Sequence, residues 1–355
     1  MRITIELLEK NYIVNIQDIY EFKTIRNISD NFAYPKKSNI YQTSIADKLY
    51  YDFEENFSKE KIKANNILLT GSTGFLGIHI LYELLNKTDS TIYCLIRNKN
   101  DQDSKDRLIN KLTFYFGQDI LKYIDKRIHV IVADISLHQF GLNNKQYKEL
   151  GNKIDLVIHS AAIVDHYGDN DLFESINVNG TVNIIEFCKE FSIYMNHIST
   201  TSVSASIQDV ESPIKFDEHT LYIGQNYYDN IYIRTKFKAE YKVWEAINLG
   251  MNISIYRLGN ITARYSDGKF QENSDKNAFL NRMITISKLK KIPESFSNIE
   301  IDLSPVDICS KIIAESIYYK SSYKKVFHIY NNNYFKFIDL INVVKKPNKE
   351  INLVS

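Results

Sequence analysis

Three of the chain's 12 glycines fall at Gly71, Gly74 and Gly77, inside NILLTGSTGFLGIHILYELLN (residues 66–86). A short apolar run precedes them, and Ile78, Leu81, Leu84 and Leu85 follow at helical spacing, so strand, turn and helix come in that order. Glycine lets a backbone turn tightly and approach a pyrophosphate, whose charge then meets the N–H groups and positive dipole of the following helix. The spacing alone is a weak signal. At the first strand-to-helix junction of a parallel α/β domain it reads as a dinucleotide-binding turn made by Thr70, Gly71, Thr73, Gly74, Phe75, Leu76 and Gly77.

The rest of the chain supplies that context. TIYCLIR, IHVIVAD, DLVIHSAA, YMNHIST and NISIYRLG read as strands, and DRLINKLTFYF, LFESINVNGTVNIIEFCKEF and the segment around Tyr232 read as helices. Apolar strands alternating with helices predict a Rossmann-type doubly wound parallel sheet, covered on both faces. After Gly259 the rhythm loosens into KNAFLNRMITISKLKK (helix), IEIDLS (strand), PVDICSKIIAESIYY (helix) and KVFHIYN (strand), which predicts a smaller C-terminal lobe over the sheet. The first 60 residues differ in kind, with short helical patches and then a polar stretch around Pro35. The expected organisation is a helical segment at 1–34, a linker at 35–61, the dinucleotide-binding domain at 62–262 and a mainly substrate-binding lobe at 263–355.

Composition narrows the function classes. A formal charge of +1, with 44% hydrophobic and 25% charged residues, gives no field that would draw nucleic acid or an acidic membrane. No apolar run reaches membrane-spanning length and no signal-peptide pattern opens the chain, so the cytoplasm is the expected compartment. Cys94, Cys188 and Cys309 are odd in number and far apart, which predicts buried free thiols. The eight histidines show no metal-ligand spacing, and no metal is expected.

Two positions speak to chemistry. The strand after the glycine turn ends in Arg97, with no carboxylate before Asp101; an acidic residue there would select NAD, whereas an Arg accommodates the 2′-phosphate of NADP. Arg97 is therefore expected to bind that phosphate, with Lys105 or Arg107 as helpers. Tyr232 and Lys236, four apart in DNIYIRTKFKAE, would share one face of a helix. With 25 Tyr and 44 Lys plus Arg in 355 residues, chance alone scatters about three such spacings. A second copy, Tyr265 and Lys269, encloses Ser-Asp-Gly turn chemistry that keeps it off a helix. Thr200, ending YMNHIST, would lie at the carboxyl edge of the sheet, where ligands bind in such folds.

TGSTGFLG, the hydroxyl residue ending the fifth strand and YIRTK resemble the extended short-chain dehydrogenase/reductase family. YCLIR, HSAAIVDHYG, NVNGT, STTSV, YRLGNITARYSDGKFQ and IDLSPVD further resemble the terminal thioester reductase domains of nonribosomal peptide synthetases, over about Ile67 to Asn331. The resemblance implies that Tyr232 donates a proton, that Lys236 holds the nicotinamide ribose of NADPH and lowers the Tyr pKa, and that Thr200 hydrogen-bonds the reacting oxygen. It also implies cofactor contacts from Asp134 and Ile135, from Ser160, Ala161 and Ala162, and from Leu258, Gly259 and Asn260. Leu258 stands where the family more often has Pro. Asn177 is expected to bridge helix and strand or to join the site, and His159 to be packed rather than to act as acid or base.

The implied reaction is NADPH-dependent release of a carrier-bound acyl or peptidyl thioester as an aldehyde, with further reduction to the alcohol left open. Competing readings are an acyl-CoA reductase, a nucleotide-sugar epimerase, or a non-catalytic dinucleotide-binding or carrier-docking module. Residues 6–32 are similar to the last helices of a peptidyl carrier domain without its Asp-Ser phosphopantetheine site. The chain is then expected to be a monomeric C-terminal piece of a larger synthetase that takes substrate from a phosphopantetheine-linked carrier in trans. Relatives usually continue beyond NLVS, so the substrate lobe is expected to be shortened.

Overall fold

In the computed structural model, residues 59–97, 101–205, 214–228, 230–274, 277–289, 291–293, 299–344 and 352–354 are described, with Tyr20 and Thr24 before them. The expected carrier-like helices at 1–34 and most of the linker lie outside these residues.

Seven parallel strands form the central sheet: β1 Asn66–Thr70, β2 Thr91–Ile96, β3 Ile128–Val132, β4 Leu156–His159, β5 Tyr194–Thr200, β6 Ile253–Leu258 and β7 Val326–Ile329. Their spatial order is β3-β2-β1-β4-β5-β6-β7. The chain steps outward from β1 to β3, then returns to β4 on the other side of β1. Loops leaving the carboxyl ends of β1 and β4 therefore diverge, opening the crevice in which doubly wound folds bind ligands.

Alternation along each strand divides the core between two layers. Leu68 of β1 faces a cluster with Val157, Met195, Phe187 and Trp244. Its neighbours Ile67 and Leu69 face the opposite cluster with Leu81, Leu112, Ile158 and Ile313. The first layer carries helices α3 (Asn144–Gly151), α4 (Gly180–Glu190) and α5 (Ile231–Asn248); the second carries α1 (Phe75–Lys87), α2 (Asp101–Phe116) and α6 (Val306–Ser316). Cys94, Cys188 and Cys309 are free and buried, as expected.

The region after residue 262 serves both parts of the molecule. It supplies β7, whose Val326 to Ile329 pair with Ile255 to Leu258, and α6, which packs against α1. Its remaining helices, Ala278–Leu289 and Phe337–Val344, join through Met283, Ile286 and Phe337 in a small core of their own. Ahead of β1, the chain is pinned where the Ile62 amide donates to the Tyr318 carbonyl at 2.7 Å and the Lys320 amide to the Glu60 carbonyl at 2.9 Å. Among the described residues, no helix is long and apolar enough to cross a membrane.

Candidate active site

The glycine turn closes on itself before α1 begins. The Gly74 amide donates to the Gly71 carbonyl at 2.8 Å, and Gly71 adopts φ +74°, a conformation that favours glycine. A Cβ on Gly71 would lie 2.7 Å from the Ala161 nitrogen, so the turn after β1 packs against the backbone after β4. A Cβ on Gly77 would run into the Gly71 carbonyl. Gly74 caps α1 with no side-chain bond, and the first turn carries no acidic residue. The N–H groups of that first turn, set beside the crevice, suit a pyrophosphate. Phe75 is braced from outside by Phe270, ring centroids 5.6 Å apart, and by Tyr115 at 5.8 Å.

His159 ends β4 under this turn, and its protonation follows from counting hydroxyl protons. Thr181 Oγ donates to the Asn177 carbonyl at 2.7 Å, so His159 Nε2, 3.0 Å away, must donate to Thr181. His159 Nδ1 then accepts from Thr70 Oγ at 2.8 Å, and Thr70 accepts the Ala161 amide at 3.1 Å. Burial pushes the imidazole down to about 3, in keeping with a neutral ring that ties β1, β4 and α4 together. Asn177 is a bridge of the same kind. Its amide accepts from the Ile163 N–H at 2.7 Å and donates to the Ile163 carbonyl and Thr235 Oγ, both at 3.0 Å. It sits in a π turn, Glu174–Asn179, a helical irregularity common at functional sites.

Thr200, Tyr232 and Lys236 converge. Asn230 caps α5 by accepting the Tyr232 and Ile233 amides, which starts the helix beside the end of β5. Thr200 Oγ accepts the Ser202 amide at 3.1 Å and keeps its own proton to donate. Burial raises Tyr232 above the ordinary phenol value, while a hydrogen bond with Thr200 pulls it back. Lys236 is buried, donates to the Ile198 carbonyl at 2.6 Å, and is held by burial down to about 8, with the Glu240 carboxylate acting the other way. His197 lies buried near it, with neither ring nitrogen bonded among the described residues.

The other expected contacts have these surroundings. Arg97 follows β2 and is exposed beside the turn, and Arg107 is exposed on α2. Lys105 is committed to Asp125 at 2.5 Å. Asp134 caps its own turn, accepting from the Ser136 amide and hydroxyl, while Ile135 is buried beside Gly180. Leu258 is buried at the end of β6. Asn260 is held through its backbone and side-chain nitrogens by Asp302, both at 2.9 Å, and the same carboxylate fills the space over Gly259. Tyr265 and Lys269 flank a turn, with Tyr265 81% exposed, so the second Tyr-Lys spacing makes no pair. Residues that sequence reasoning missed include His166, whose ring centroid lies 5.8 Å from that of Tyr232, and the buried Ser199, Glu240 and Arg257. Glu240 continues the Tyr232–Lys236 spacing by one more turn, but a Glu on a helix is usually solvated, so the spacing alone does not mark it. Among the described residues no cluster of His, Cys, Asp or Glu could hold a metal.

Comparison with known proteins agrees with this fold. A thiolation-reductase di-domain from an archaeal non-ribosomal peptide synthetase superposes with a TM-score of 0.83 at 34% identity, covering 100% of this chain and 75% of that one. The terminal R domain from the myxalamid PKS-NRPS pathway gives 0.73 at 27% identity, covering 82% and 73%. A linear gramicidin synthase of Brevibacillus parabrevis is 27% identical over 303 residues, which is 85% of this chain and 6% of that synthase. The profile of the NAD-binding Male sterility protein family matches residues 69–313, and the chain belongs to that family.

Proposed function

We propose that the chain is a thioester reductase that releases an acyl or peptidyl group from a phosphopantetheine-linked carrier as an aldehyde, using NADPH, in the cytoplasm. The observation that carries this reading is the convergence of Thr200, Tyr232 and Lys236 at the carboxyl end of β5, across from the glycine turn. A pure dinucleotide binder needs no proton donor there. Val164 and Tyr167, exposed in the loop after β4 on either side of His166, offer apolar surface to an acyl chain. The three buried free thiols suit a reducing compartment.

Bound NADPH supplies the hydride. The glycine turn and the start of α1 would hold its pyrophosphate, Arg97 its 2′-phosphate and Lys236 its nicotinamide ribose. Thr200 and Tyr232 donate to the thioester oxygen as negative charge builds there. Tyr232 hands over its proton, and the Lys236 ammonium stabilises the phenolate that remains. Collapse of the tetrahedral adduct breaks the carbon–sulfur bond. One thioester, one NADPH and one proton are consumed, and one aldehyde, one thiol and one NADP⁺ form.

The test is to mix the chain with NADPH and octanoyl-N-acetylcysteamine thioester, follow nicotinamide absorbance and identify the product by mass. Octanal formed with matching NADPH loss is expected. NADPH binding without oxidation across several thioesters would leave a binding module, and a tightly retained NAD would point to an epimerase. Arg97→Ala is expected to remove about 1.5–3 kcal/mol of NADPH affinity, the range for a hydrogen bond to a charged group, and to leave NADH use nearly unchanged. An Arg97→Ala chain that kept its NADPH-over-NADH ratio of kcat/KM would remove Arg97 from the phosphate site.

A further inference from the structure

Three successive residues of β5 each hold one residue of α5. The Ile198 carbonyl takes Lys236 Nζ at 2.6 Å, Ser199 Oγ donates to Glu240 Oε2 at 2.5 Å, and Thr200 meets Tyr232. Tyr232, Lys236, Glu240 and Trp244 recur every fourth residue and so form one stripe along the helix. Glu240 is the fully buried carboxylate on it. Besides Ser199 it accepts from Trp244 Nε1 at 3.1 Å and from Arg257 Nε and Nη2 at 2.9 and 2.7 Å.

Arg257, fully buried on β6, uses its whole donor set. Its other protons go to the Asp217 carbonyl at 2.9 Å, the Thr220 carbonyl at 2.7 Å and His328 Nε2 on β7 at 3.0 Å, and its Cζ lies over the Phe216 ring, 4.4 Å from the centroid. Asp217 and Thr220 belong to the segment that runs from β5 to the start of α5. One buried ion pair thus ties together the catalytic strand, the catalytic helix, the connection between them and two further strands. Such a pair adds little net stability, because the desolvation of both charges offsets their attraction. Its directional bonds do fix one relative placement of the elements that make them.

We propose that Glu240 is a positioning residue for the reaction: with Ser199 and Arg257 it sets the register of α5 on β5 that places Lys236 and Tyr232. It touches neither substrate nor cofactor and acts through those two side chains. The groups facing Lys236 and Glu240 from neighbouring elements are His159 on β4, His197 on β5, Arg257 on β6 and His328 on β7. Burial disfavours the charged form of all three histidines, which leaves Glu240 to offset part of the burial cost of the Lys236 ammonium.

The inference rests on the reductase reading, and its test separates the two. Glu240→Gln alone would strand the Arg257 charge and risk unfolding the chain. The informative variants are the double Glu240→Met/Arg257→Met, which removes both charges, and Ser199→Ala, which removes one hydroxyl and no charge. Each is compared with wild type in melting temperature, in kcat and KM with octanoyl-N-acetylcysteamine thioester, and in NADPH dissociation constant read by quenching of Trp244, the chain's single tryptophan. For the double variant, kcat per NADPH-binding site is expected to fall about a hundredfold with little change in KM for the thioester, the loss a displacement of about 1 Å brings. NADPH affinity should weaken about tenfold as Lys236 loses its place, as for one charge-assisted hydrogen bond. Ser199→Ala should fold like wild type and show a smaller loss in the same direction, so the link stays testable even where the double variant does not fold. Folded variants with wild-type kcat and NADPH affinity would reduce the pair to a structural role and overturn the proposal. Absence of turnover in wild type would instead fail the reductase reading, and NADPH affinity alone would then decide the register question.

Discussion

Tyr232→Phe is expected to lower kcat for thioester reduction by about 10²–10³-fold, the loss that follows removal of one preorganised donor to a developing oxyanion. NADPH binding should change little, because the ring and its packing remain and only the phenol oxygen is lost. The pH dependence of the wild-type chain follows from the same pair. Burial raises Tyr232, so the phenol keeps its proton across the neutral range and well into alkali. Lys236, held down to about 8, is the group that titrates first. Below that pH the ammonium is present and favours the phenolate formed in the reaction; above it the charge is lost and kcat/KM falls. The profile should therefore carry an alkaline limb near pH 8. Lys236→Arg should move that limb out of the measurable range while lowering the plateau, because a guanidinium cannot take the place of Nζ against the Ile198 carbonyl. A Tyr232→Phe chain with near-normal turnover would remove Tyr232 from the acid role.

Most of the sheet was legible in the sequence because a parallel strand buried on both faces reads as an apolar run, as NILLT and TIYCLI do; YMNHIST carries four polar residues and was legible from the strand–helix alternation around it. KVFHIYN was legible as a strand, but its place was not: it pairs with β6 from far along the chain, and local periodicity carries nothing about so distant a neighbour. Helix α3 escaped notice because it has only 8 residues. Its signal lay in the cap, where Asn143 and Gln146 bond reciprocally. In the site, residue types with a chemical signature could be found from spacing: the glycines, Tyr232 and Lys236. Glu240 could not, since a Glu on a helix is usually solvated and nothing local marks this one as buried beside Arg257. Asn177 lay between two readings until its partners were known, and its donors and acceptor are all spent on Ile163 and Thr235.

Gly77→Ala should strongly impair cofactor binding. The added Cβ would meet the Gly71 carbonyl and, at 3.2 Å, the Ser72 Cα, so every atom in its way belongs to backbone. A flexible side chain could swing aside; this turn cannot. Gly71 is itself backed by Ser160 and Ala161, where there is room for no Cβ at all, so pushing it away from α1 drives it into the end of β4. Either the helix start or the strand end must move, and both border the proposed pyrophosphate site. Overpacking of this kind costs about 1–3 kcal/mol of stability, and NADPH affinity should fall by more than about a hundredfold if the N–H array is displaced by about an ångström. Gly74→Ala provides the internal control. Gly74 has an ordinary φ of −78° and is exposed, and its Cβ would sit 3.1 Å from the Gly71 oxygen, a tight contact that small relaxation relieves. Melting curves and NADPH titrations of the two variants should therefore separate widely, with Gly74→Ala close to wild type. Equal losses would mean that the turn serves the cofactor through flexibility rather than through the close approach of Gly77 to Gly71.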